Sequence, residues 1–290
     1  MKIIDCFTFF NELDLLELRL KLLNKHVDHF VIAESNLTYS GIPKPYYFKE
    51  SEDRFKPWLH KIIHLPVVQD KQELVFETQT SYNPVSAEWK LENGLRNALL
   101  DGVINMDESD LVLVSDLDEM YDPKALKKAM AASTPVSFSL LFHYYFLNCQ
   151  NTGESRWWNG SIASTVKQFR EITPQGLRNN RDVYPSLSHA GWHFSFMGGL
   201  DKIKHKILSF AHTEYKTDEF TNEKYIRDAV LKGDDIFKRK GVVFNYMPLS
   251  YYPAELQNLM KQYPALLNLP KKNPVKDWYY MARRIIKGGW

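Results

Sequence analysis

The feature that most constrains the fold is a strand–helix–strand pattern near the start of the chain. Residues 3–9 are a short segment rich in β-branched and aromatic side chains, and residues 30–33 are a continuous apolar run, as in strands buried on both faces. Between them, leucines recur at helical spacing over a wide arc. Two buried strands joined by a helix form a βαβ unit, in which the strands are parallel. The sequence therefore predicts an α/β fold built on a mostly parallel sheet.

The same alternation of elements continues along the chain. Residues 62–68 and 111–114 predict two further strands, and residues 87–100 predict a helix between them, with Ser86 as its cap. Asn11 is expected to cap the first helix. Later strands are expected at 136–147, 161–166 and 190–196, and later helices at 201–211 and 222–232. These elements together predict a Rossmann-like sheet flanked by helices.

Length and composition suit one large domain with an annex. The chain has 290 residues, of which 44% are hydrophobic, so it can bury a sizeable core. Residues 1–235 are expected to form the α/β domain, and residues 236–290 a helical C-terminal extension packed on it. The formal net charge of +2 gives no basis for a nucleic-acid partner.

The two ends of the chain bear on its location. Asp5 interrupts the first apolar run, so the N-terminus lacks the apolar core of a signal peptide. No stretch reaches the roughly 20 apolar residues that span a bilayer, and a cytoplasmic protein is expected. The tail at 276–287 mixes basic and aromatic side chains. We interpret it first as a helix packed on the main domain, and second as a peripheral contact with an anionic membrane.

The strongest functional signal is Asp116-Leu117-Asp118-Glu119, three carboxylates that directly follow the apolar strand at 111–114. Ligands of open α/β sheets bind outside the carboxyl ends of the strands. Carboxylates are oxygen ligands suited to Mg²⁺ or Mn²⁺, and these ions commonly bridge protein carboxylates to substrate phosphates. The cluster therefore predicts a divalent-metal site that neutralises a departing diphosphate. The alternative interpretation is a solvated turn with a helix cap at Asp122.

Two enzyme classes place an Asp-x-Asp motif after an apolar strand. One is the GT-A glycosyltransferases, and the other is the Mg²⁺-dependent phosphatases of the haloacid-dehalogenase type, whose motif reads Asp-x-Asp-x-Thr/Val. Met120 occupies the fifth position here and breaks the phosphatase pattern. Three predicted strands precede the cluster, whereas the phosphatase motif usually lies near the N-terminus. The pattern favours a glycosyltransferase and keeps the phosphatase as the alternative.

Five segments, spread in order over about residues 2–232, carry a family resemblance. They are DCFTFFNELD at 5–14, VIAESN at 31–36, SGIPKP at 40–45, SDLDE at 115–119 and AGWHFS at 190–195. In this order they resemble glycosyltransferase family 17. The resemblance implies a GT-A fold, a UDP-sugar donor with UDP-GlcNAc as first choice, a divalent cation such as Mn²⁺, a glycan acceptor, and inversion at the anomeric carbon.

The resemblance also implies roles for the acidic cluster. By the usual GT-A pattern, Asp118 ligates the metal, and Asp116 contacts the ribose of the donor or the metal through water. GT-A enzymes often supply a late histidine as a further metal ligand, and His212 is the candidate for that role here.

Other candidates are expected around the donor. Asn11 and Glu34 end the first two strands, where the uridine is expected, and Arg96 could reach the diphosphate. Trp192 is expected to stack on a sugar, and His193 to contact the donor phosphate or the metal. The alternatives are structural: a helix cap, a turn residue, an ion-paired helical arginine and core aromatic residues, respectively.

An inverting transfer needs a base that deprotonates the attacking hydroxyl of the acceptor. The sequence offers three carboxylates for this role, Glu119, Glu214 and Asp201. Glu119 and Glu214 rank first, although a cation beside Glu119 would lower its pKa and weaken it as a base.

Overall fold

Within residues 1–268, ten strands form one sheet, in which the first strand lies between the second and the fourth. The computed structural model describes residues 1–268 of the chain. Its strands are β1 (Ile3–Phe9), β2 (His29–Ser35), β3 (Ile62–Val67), β4 (Leu111–Asp116), β5 (Glu119–Tyr121), β6 (Val136–Tyr144), β7 (Cys149–Asn151), β8 (Trp157–Thr165), β9 (Ser186–Ser195) and β10 (Phe244–Tyr246). All seven residues of β1 are buried, which explains why its sequence is mostly apolar.

Helices cover both faces of this sheet. They are α1 (Leu13–Leu23), α2 (Tyr47–Glu50), α3 (Ala87–Asn97), α4 (Pro123–Ala131), α5 (Val166–Ile172), α6 (Pro174–Asn179), α7 (Leu200–Ser209), α8 (Asp218–Thr221), α9 (Glu223–Lys232) and α10 (Ala254–Met260). None of the helices within residues 1–268 is long and apolar enough to cross a membrane.

The strand order is β10-β7-β6-β8-β4-β1-β2-β3, with β9 paired to both β5 and β6. The pairs β4–β1, β1–β2 and β2–β3 are parallel, so β1 to β4 form the parallel core of the sheet. β8 joins β4 in antiparallel orientation, and β6 joins β8 in the same way. The predicted α/β class, with parallel strands flanked by helices, is confirmed.

Side chains of β1 alternate between two hydrophobic clusters. Phe7 packs in the cluster that contains the leucines of α1, and Cys6 packs in the cluster beneath α3 and α5. Leu256 and Met260 of α10 belong to the α1 cluster. Because α1 has the sheet on one side and α10 on another, its leucines are buried over the wide arc that the sequence shows.

Two helix starts differ from the expectation. The residue at the N-cap position of α1 is Glu12 rather than Asn11, and its side chain makes no capping hydrogen bond. Glu12 Oε2 instead accepts a hydrogen bond from the main-chain N–H of Asn11, at 3.1 Å. Ser86 does occupy the N-cap position of α3, but its hydroxyl does not cap the helix.

The C-terminal extension contains a strand as well as a helix. β10 pairs in antiparallel orientation with β7 and so extends the sheet, and α10 packs on α1. The division of the chain at residue 235 remains a prediction. The basic and aromatic tail at 276–287 lies outside the described residues, so its membrane contact and a cytoplasmic location also remain predictions.

Candidate active site

A cavity of about 730 Å³ opens at the carboxyl edge of the parallel strands. β1, β2 and β4 end beside it and place Thr8, Ser35 and Asp116 on its wall. Helices α3 and α7 add Arg96 and Lys206 to the same wall. This is the edge at which open α/β sheets bind their ligands.

Asp116, the last residue of β4, is held by two arginines. Its Oδ1 accepts a hydrogen bond from Arg96 Nη2 at 3.0 Å, and its Oδ2 accepts one from Arg178 Nη2 at 2.6 Å. Burial raises the pKa of the Asp116 carboxyl, but the guanidinium groups of Arg178 and Arg96 outweigh burial and keep that pKa well below its usual value. Asp116 is therefore an anion at neutral pH, and each of its oxygens has a cationic partner.

Asp118, two residues further on, has two different partners, a lysine and a histidine. Its Oδ2 accepts a hydrogen bond from Lys206 Nζ at 2.9 Å, and its Oδ1 lies 3.4 Å from His193 Nε2. Burial raises the pKa of Asp118, but Lys206 and His193 outweigh it and hold the pKa far below its usual value. Burial lowers the pKa of Lys206, whereas Asp118 and Glu12 raise it by more. The pair is therefore fully ionised at neutral pH.

Glu119, a predicted base, is fully buried behind the cavity wall. Its carboxylate accepts hydrogen bonds from Trp158 Nε1 at 2.5 Å and Ser161 Oγ at 3.0 Å. It also accepts from Arg178 Nη1 at 2.7 Å and from the main-chain N–H of Asp116 at 3.1 Å. A carboxylate enclosed by four donors cannot reach an acceptor hydroxyl in this arrangement. Glu119 instead fixes Arg178, the side chain that holds Asp116.

Trp192 and His193 are neighbours in β9, but Trp192 lies in the core and His193 faces the cavity. Successive residues of a strand point to opposite faces, so only one of the two can reach the cavity. His193 lines it, beside the rings of Phe142 and Trp158, whose centroids lie 5.4 and 4.8 Å from that of its own ring. Trp192 is buried in the hydrophobic core. The aromatic surface predicted from Trp192 is thus supplied by Trp158 and Phe142.

The same alternation separates Glu34 from the cavity. Glu34 is buried, with Lys44 Nζ 3.4 Å from its Oε1 and His64 Nε2 3.1 Å from its Oε2. Its neighbour Ser35 is the residue that lines the cavity. Glu34, which the sequence predicts to contact the donor, is therefore not among the residues that line the cavity.

Asn11 and Arg96 have contrasting positions. Phe10 and Glu12 lie on the cavity wall, and Asn11 between them does not. Arg96 lines the cavity, but its side chain is almost fully buried and ion-paired with Asp116, as in the structural alternative. Arg96 is therefore not a free cation of the cavity.

His212 lies on the cavity wall, packed against Trp89 with 5.0 Å between ring centroids. Its Nδ1 is 2.8 Å from Glu214 Oε1. Within residues 1–268, no three His, Cys, Asp or Glu side chains are grouped closely enough to hold a metal ion. Asp116, Asp118 and His212 are therefore not preassembled as the three-ligand site that the sequence predicts.

The two aspartates still have the chemistry that a divalent cation needs. Mg²⁺ commonly binds one or two carboxylates and completes its shell with substrate phosphates and water. A cation at Asp118 Oδ2 would have to displace the ammonium group of Lys206. The site thus fits a cation that arrives together with a diphosphate better than one bound by the protein alone.

Arg19, which the sequence analysis does not single out, supports the acidic cluster from within the core. Its Nη1 donates hydrogen bonds to the main-chain carbonyls of Asp116, Leu117 and Glu119, at 3.0, 3.0 and 2.8 Å. Its Nη2 and Nε pair with the Asp5 carboxylate at 2.6 and 2.8 Å. The available signal was an arginine within the apolar arc of α1, because a buried charge requires partners.

Three other residues of the site carry no recognisable sequence signal. Arg178 comes from α6, Lys206 from α7 and Trp158 from β8. Each meets the acidic cluster only through the folding of distant segments, and none belongs to a local motif.

The fold and the site together define the class of protein. Parallel strands with paired carboxylates at their carboxyl edge, beside a deep cavity, form an α/β protein with a ligand site at that edge. A family model described as "Glycosyltransferase family 17" matches residues 1–272. The chain belongs to glycosyltransferase family 17, a family of transferases, and the predicted resemblance is confirmed.

Known proteins resemble the chain at moderate identity. The human β-1,4-mannosyl-glycoprotein 4-β-N-acetylglucosaminyltransferase is 30% identical over 330 positions, covering 100% of this chain and 58% of that protein. The Rattus norvegicus protein of the same name is 30% identical over 314 positions, covering 94% of this chain and 56% of its own length. The chain thus spans a little over half the length of these relatives.

Among solved structures, HddC from Yersinia pseudotuberculosis superposes with a TM-score of 0.39 at 12% identity. The superposition covers 66% of this chain and 92% of HddC. At that score it identifies neither a fold family nor an activity.

The phosphatase alternative gains no support from the site. Such an enzyme needs a free aspartate as its nucleophile. Both oxygens of Asp116 are instead bound by arginines.

Proposed function

We propose that this chain transfers a sugar, GlcNAc as first choice, from a UDP-sugar to a glycan acceptor with inversion at the anomeric carbon. One observation carries the proposal: Asp116 and Asp118 lie together on the wall of a cavity of about 730 Å³, at the carboxyl edge of the parallel strands. The names of the relatives, which are N-acetylglucosaminyltransferases, support the choice of sugar.

The charges on the cavity wall suit a nucleotide diphosphate. Its basic side chains are Lys44, Arg96, Arg178, Arg181, Lys206 and Arg239. Arg178 and Arg96 are ion-paired with Asp116, whereas the ion pair of Arg181 is looser, with 3.7 Å between its Nε and Asp182 Oδ2. The same wall carries five carboxylates, those of Glu12, Glu92, Asp116, Asp118 and Asp182. A diphosphate near Asp118 would therefore be held by individual side chains such as Lys206 and Arg181 rather than by a surplus of positive charge.

The aromatic wall suits the transferred sugar or the acceptor. His193 is stacked with Phe142 and Trp158, and the guanidinium carbon of Arg181 lies 5.1 Å from the centroid of the Trp158 ring. Cavities that bind small molecules combine such apolar surfaces with a few placed polar groups. In our proposal this wall orients the sugar while Asp118 and Lys206 lie on the diphosphate side.

A divalent cation, Mn²⁺ or Mg²⁺, is part of the proposal, with Asp118 as the residue that would hold it and Asp116 as one that would contact it through water. Bound there, the cation would supply electrostatic stabilisation of the departing UDP. Asp118 contributes a full negative charge to this site, because its pKa is held far below neutrality. Arg96 and Arg178 keep Asp116 in place and neutralise its charge.

The base in our proposal is the pair formed by His212 and Glu214. A base has to face the cavity, and Glu119 is enclosed. His212 lines the cavity with its side chain 41% exposed. With Nδ1–H directed to Glu214, the lone pair lies on Nε2, which can accept the proton of an acceptor hydroxyl.

Release of UDP tests the proposal. The purified protein is incubated with UDP-GlcNAc, Mn²⁺ and mannose-containing glycans, and UDP-glucose, UDP-galactose and UDP-GalNAc serve as competing donors. We expect glycan-dependent release of UDP, fastest with UDP-GlcNAc. If calorimetry detects no binding of any UDP-sugar in the presence of Mn²⁺, the proposal is rejected.

A further inference from the structure

Lys206 occupies the position next to Asp118 that a bound cation would take. Its Nζ donates to Asp118 Oδ2 at 2.9 Å and lies 3.6 Å from Glu12 Oε1. It also lies 5.4 Å from the centroid of the Phe196 ring. The ammonium group is thus held by two carboxylates and an aromatic face on the cavity wall.

An ammonium ion and a divalent cation cannot share one carboxylate oxygen without strong repulsion. Like charges this close repel strongly even at the effective dielectric constant of a protein surface. Lys206 therefore competes with a metal ion for Asp118 as long as it stays in place. Among the described residues, His193 lies at the other oxygen of Asp118, and the arginines on Asp116 bind a different carboxylate.

Lys206 is also able to move. A lysine has a flexible four-carbon stem and a compact charge, unlike the rigid fork of an arginine. The side chain of Lys206 is 26% exposed, whereas that of Arg178 is 7% exposed and lies between Asp116 and Glu119. If Lys206 turns toward a ligand in the cavity, Asp118 Oδ2 becomes free for a cation while Oδ1 keeps His193 Nε2 at 3.4 Å. A turn of Arg178 would instead remove a partner from both Asp116 and Glu119.

We propose that Lys206 is a donor-binding residue. When nucleotide arrives, its ammonium group leaves Asp118 and binds the diphosphate of the donor, and only then can a divalent cation bind Asp118. This inference rests on the proposed function and adds to it an order of binding. In the nucleotide-free protein, Lys206 neutralises Asp118. In the complex, the diphosphate takes the ammonium group, and Asp118 is free to ligate the cation.

The exchange has a thermodynamic signature in each binary complex. Removing the ammonium group frees Asp118, so Mn²⁺ alone should bind more tightly. The same change removes a cation from the diphosphate, so UDP alone should bind more weakly. A merely structural lysine would not move the two affinities in opposite directions.

The experiment measures the two affinities separately by isothermal titration calorimetry, with Mn²⁺ alone and with UDP in the presence of EDTA. For Lys206→Met we expect Mn²⁺ to bind about tenfold more tightly than to the wild type, and UDP about tenfold more weakly, the size of one charge-assisted contact. Lys206→Arg keeps the charge and should retain most of the affinity for UDP.

Lys204→Met is the matched control, because Lys204 lies on the same helix and pairs with Glu223 at 3.1 Å. It should leave both affinities unchanged. Equal Mn²⁺ affinities for the wild type and Lys206→Met, with the fold verified by near-UV circular dichroism, would overturn the inference. So would an unchanged UDP affinity in that variant, or a loss of UDP binding in Lys206→Arg as large as in Lys206→Met.

The proposed function fails by a different result. If the wild type binds no UDP either with or without Mn²⁺, both the function and this inference are overturned. If it binds UDP and transfers sugar, but Mn²⁺ affinity does not respond to Lys206→Met, only the inference is overturned.

Discussion

Nη1 of Arg19 donates a hydrogen bond of 3.0 Å to the main-chain carbonyl of Asp116. The same nitrogen binds the carbonyls of Leu117 and Glu119, so one buried cation sets the path of the backbone through the acidic cluster. Arg19 is in turn fixed by Asp5 in β1. The geometry of the site therefore depends on an ion pair in the core as well as on the residues that face the cavity.

Replacing Arg19 should destabilise the protein strongly. Arg19→Met leaves the Asp5 carboxylate buried without its partner, and breaking such a pair costs about 3–5 kcal/mol. The measurement is the free energy of unfolding from urea titrations at pH 7. A loss no larger than the roughly 1 kcal/mol of an exposed ion pair would contradict this account.

The double variant Asp5→Leu/Arg19→Met separates stability from site geometry. Replacing both members of a buried pair by apolar residues is often close to neutral, so much of the stability should return. Activity should not return, because the three carbonyls of the acidic cluster would still lack their donor.

Asp118→Asn should remove transfer while the protein remains folded. Loss of the charge at the diphosphate is expected to lower kcat by about 10²- to 10³-fold, as for other preorganised electrostatic groups. The fold should tolerate the change, because Lys206, at 26% exposure, can turn to water once its partner is neutral. UDP release and urea unfolding measure the two effects.

Asp101→Asn is a suitable control for that experiment, since Asp101 is exposed and does not line the cavity. Its activity should match that of the wild type. If Asp118→Asn unfolds the protein, Asp118 is structural first, and the assignment to the diphosphate loses its support.

The fold was predictable where burial leaves a strong pattern. β1, β2 and β4 are parallel strands buried on both faces, so the sequence of each is mostly apolar. β5, β7 and β10 have three residues each and were not predicted, because so short a segment shows no periodicity.

The site was predictable only where it is local in sequence. Asp116 and Asp118 follow a buried strand and were found for that reason. Arg178 and Lys206 lie 62 and 88 residues from the aspartates that they bind, and no local pattern links them. Glu34 was predicted to contact the donor, but its neighbour Ser35 lines the cavity instead, because in a strand a shift of one residue moves a side chain to the other face.

A buried histidine should make stability depend on pH. Burial lowers the pKa of His143 to about 3, despite the opposing hydrogen bond with the Leu141 carbonyl at 2.9 Å. In the unfolded chain a histidine titrates near about 6.5. Between these values the unfolded state binds more protons than the folded state. The contribution of His143 to the free energy of unfolding is therefore fully present above about pH 6.5 and falls as the pH decreases toward 3.

Because of His143 alone, the free energy of unfolding should change with pH by up to about 1.4 kcal/mol per pH unit between pH 6 and 4. Urea unfolding at pH 7.5, 6, 5 and 4 measures it for the wild type and for His143→Gln. The variant should be less stable at pH 7.5, because its hydrogen bonds with Leu141 and Tyr252 change, and should lose stability less steeply on acidification. Parallel curves for the two proteins would show that His143 is not the titrating group.

His212 and Glu214 should contribute unequally to transfer. Loss of a general base typically costs about 10²- to 10⁴-fold, and we expect a loss in this range in kcat for His212→Ala. Glu214→Gln should lose less, because the amide oxygen can still accept a hydrogen bond from Nδ1 and orient the ring. His60→Ala is the control, since His60 is exposed and does not line the cavity.

The dependence on Mn²⁺ distinguishes a base from a metal ligand at this position. If His212 is the base, His212→Ala lowers kcat and leaves the concentration of Mn²⁺ needed for half-maximal rate unchanged. If His212 instead ligates the cation, the variant requires more Mn²⁺, and high Mn²⁺ restores its rate. Since His212 is not grouped with the aspartates within residues 1–268, and its Nδ1 is bound by Glu214, we expect the first result.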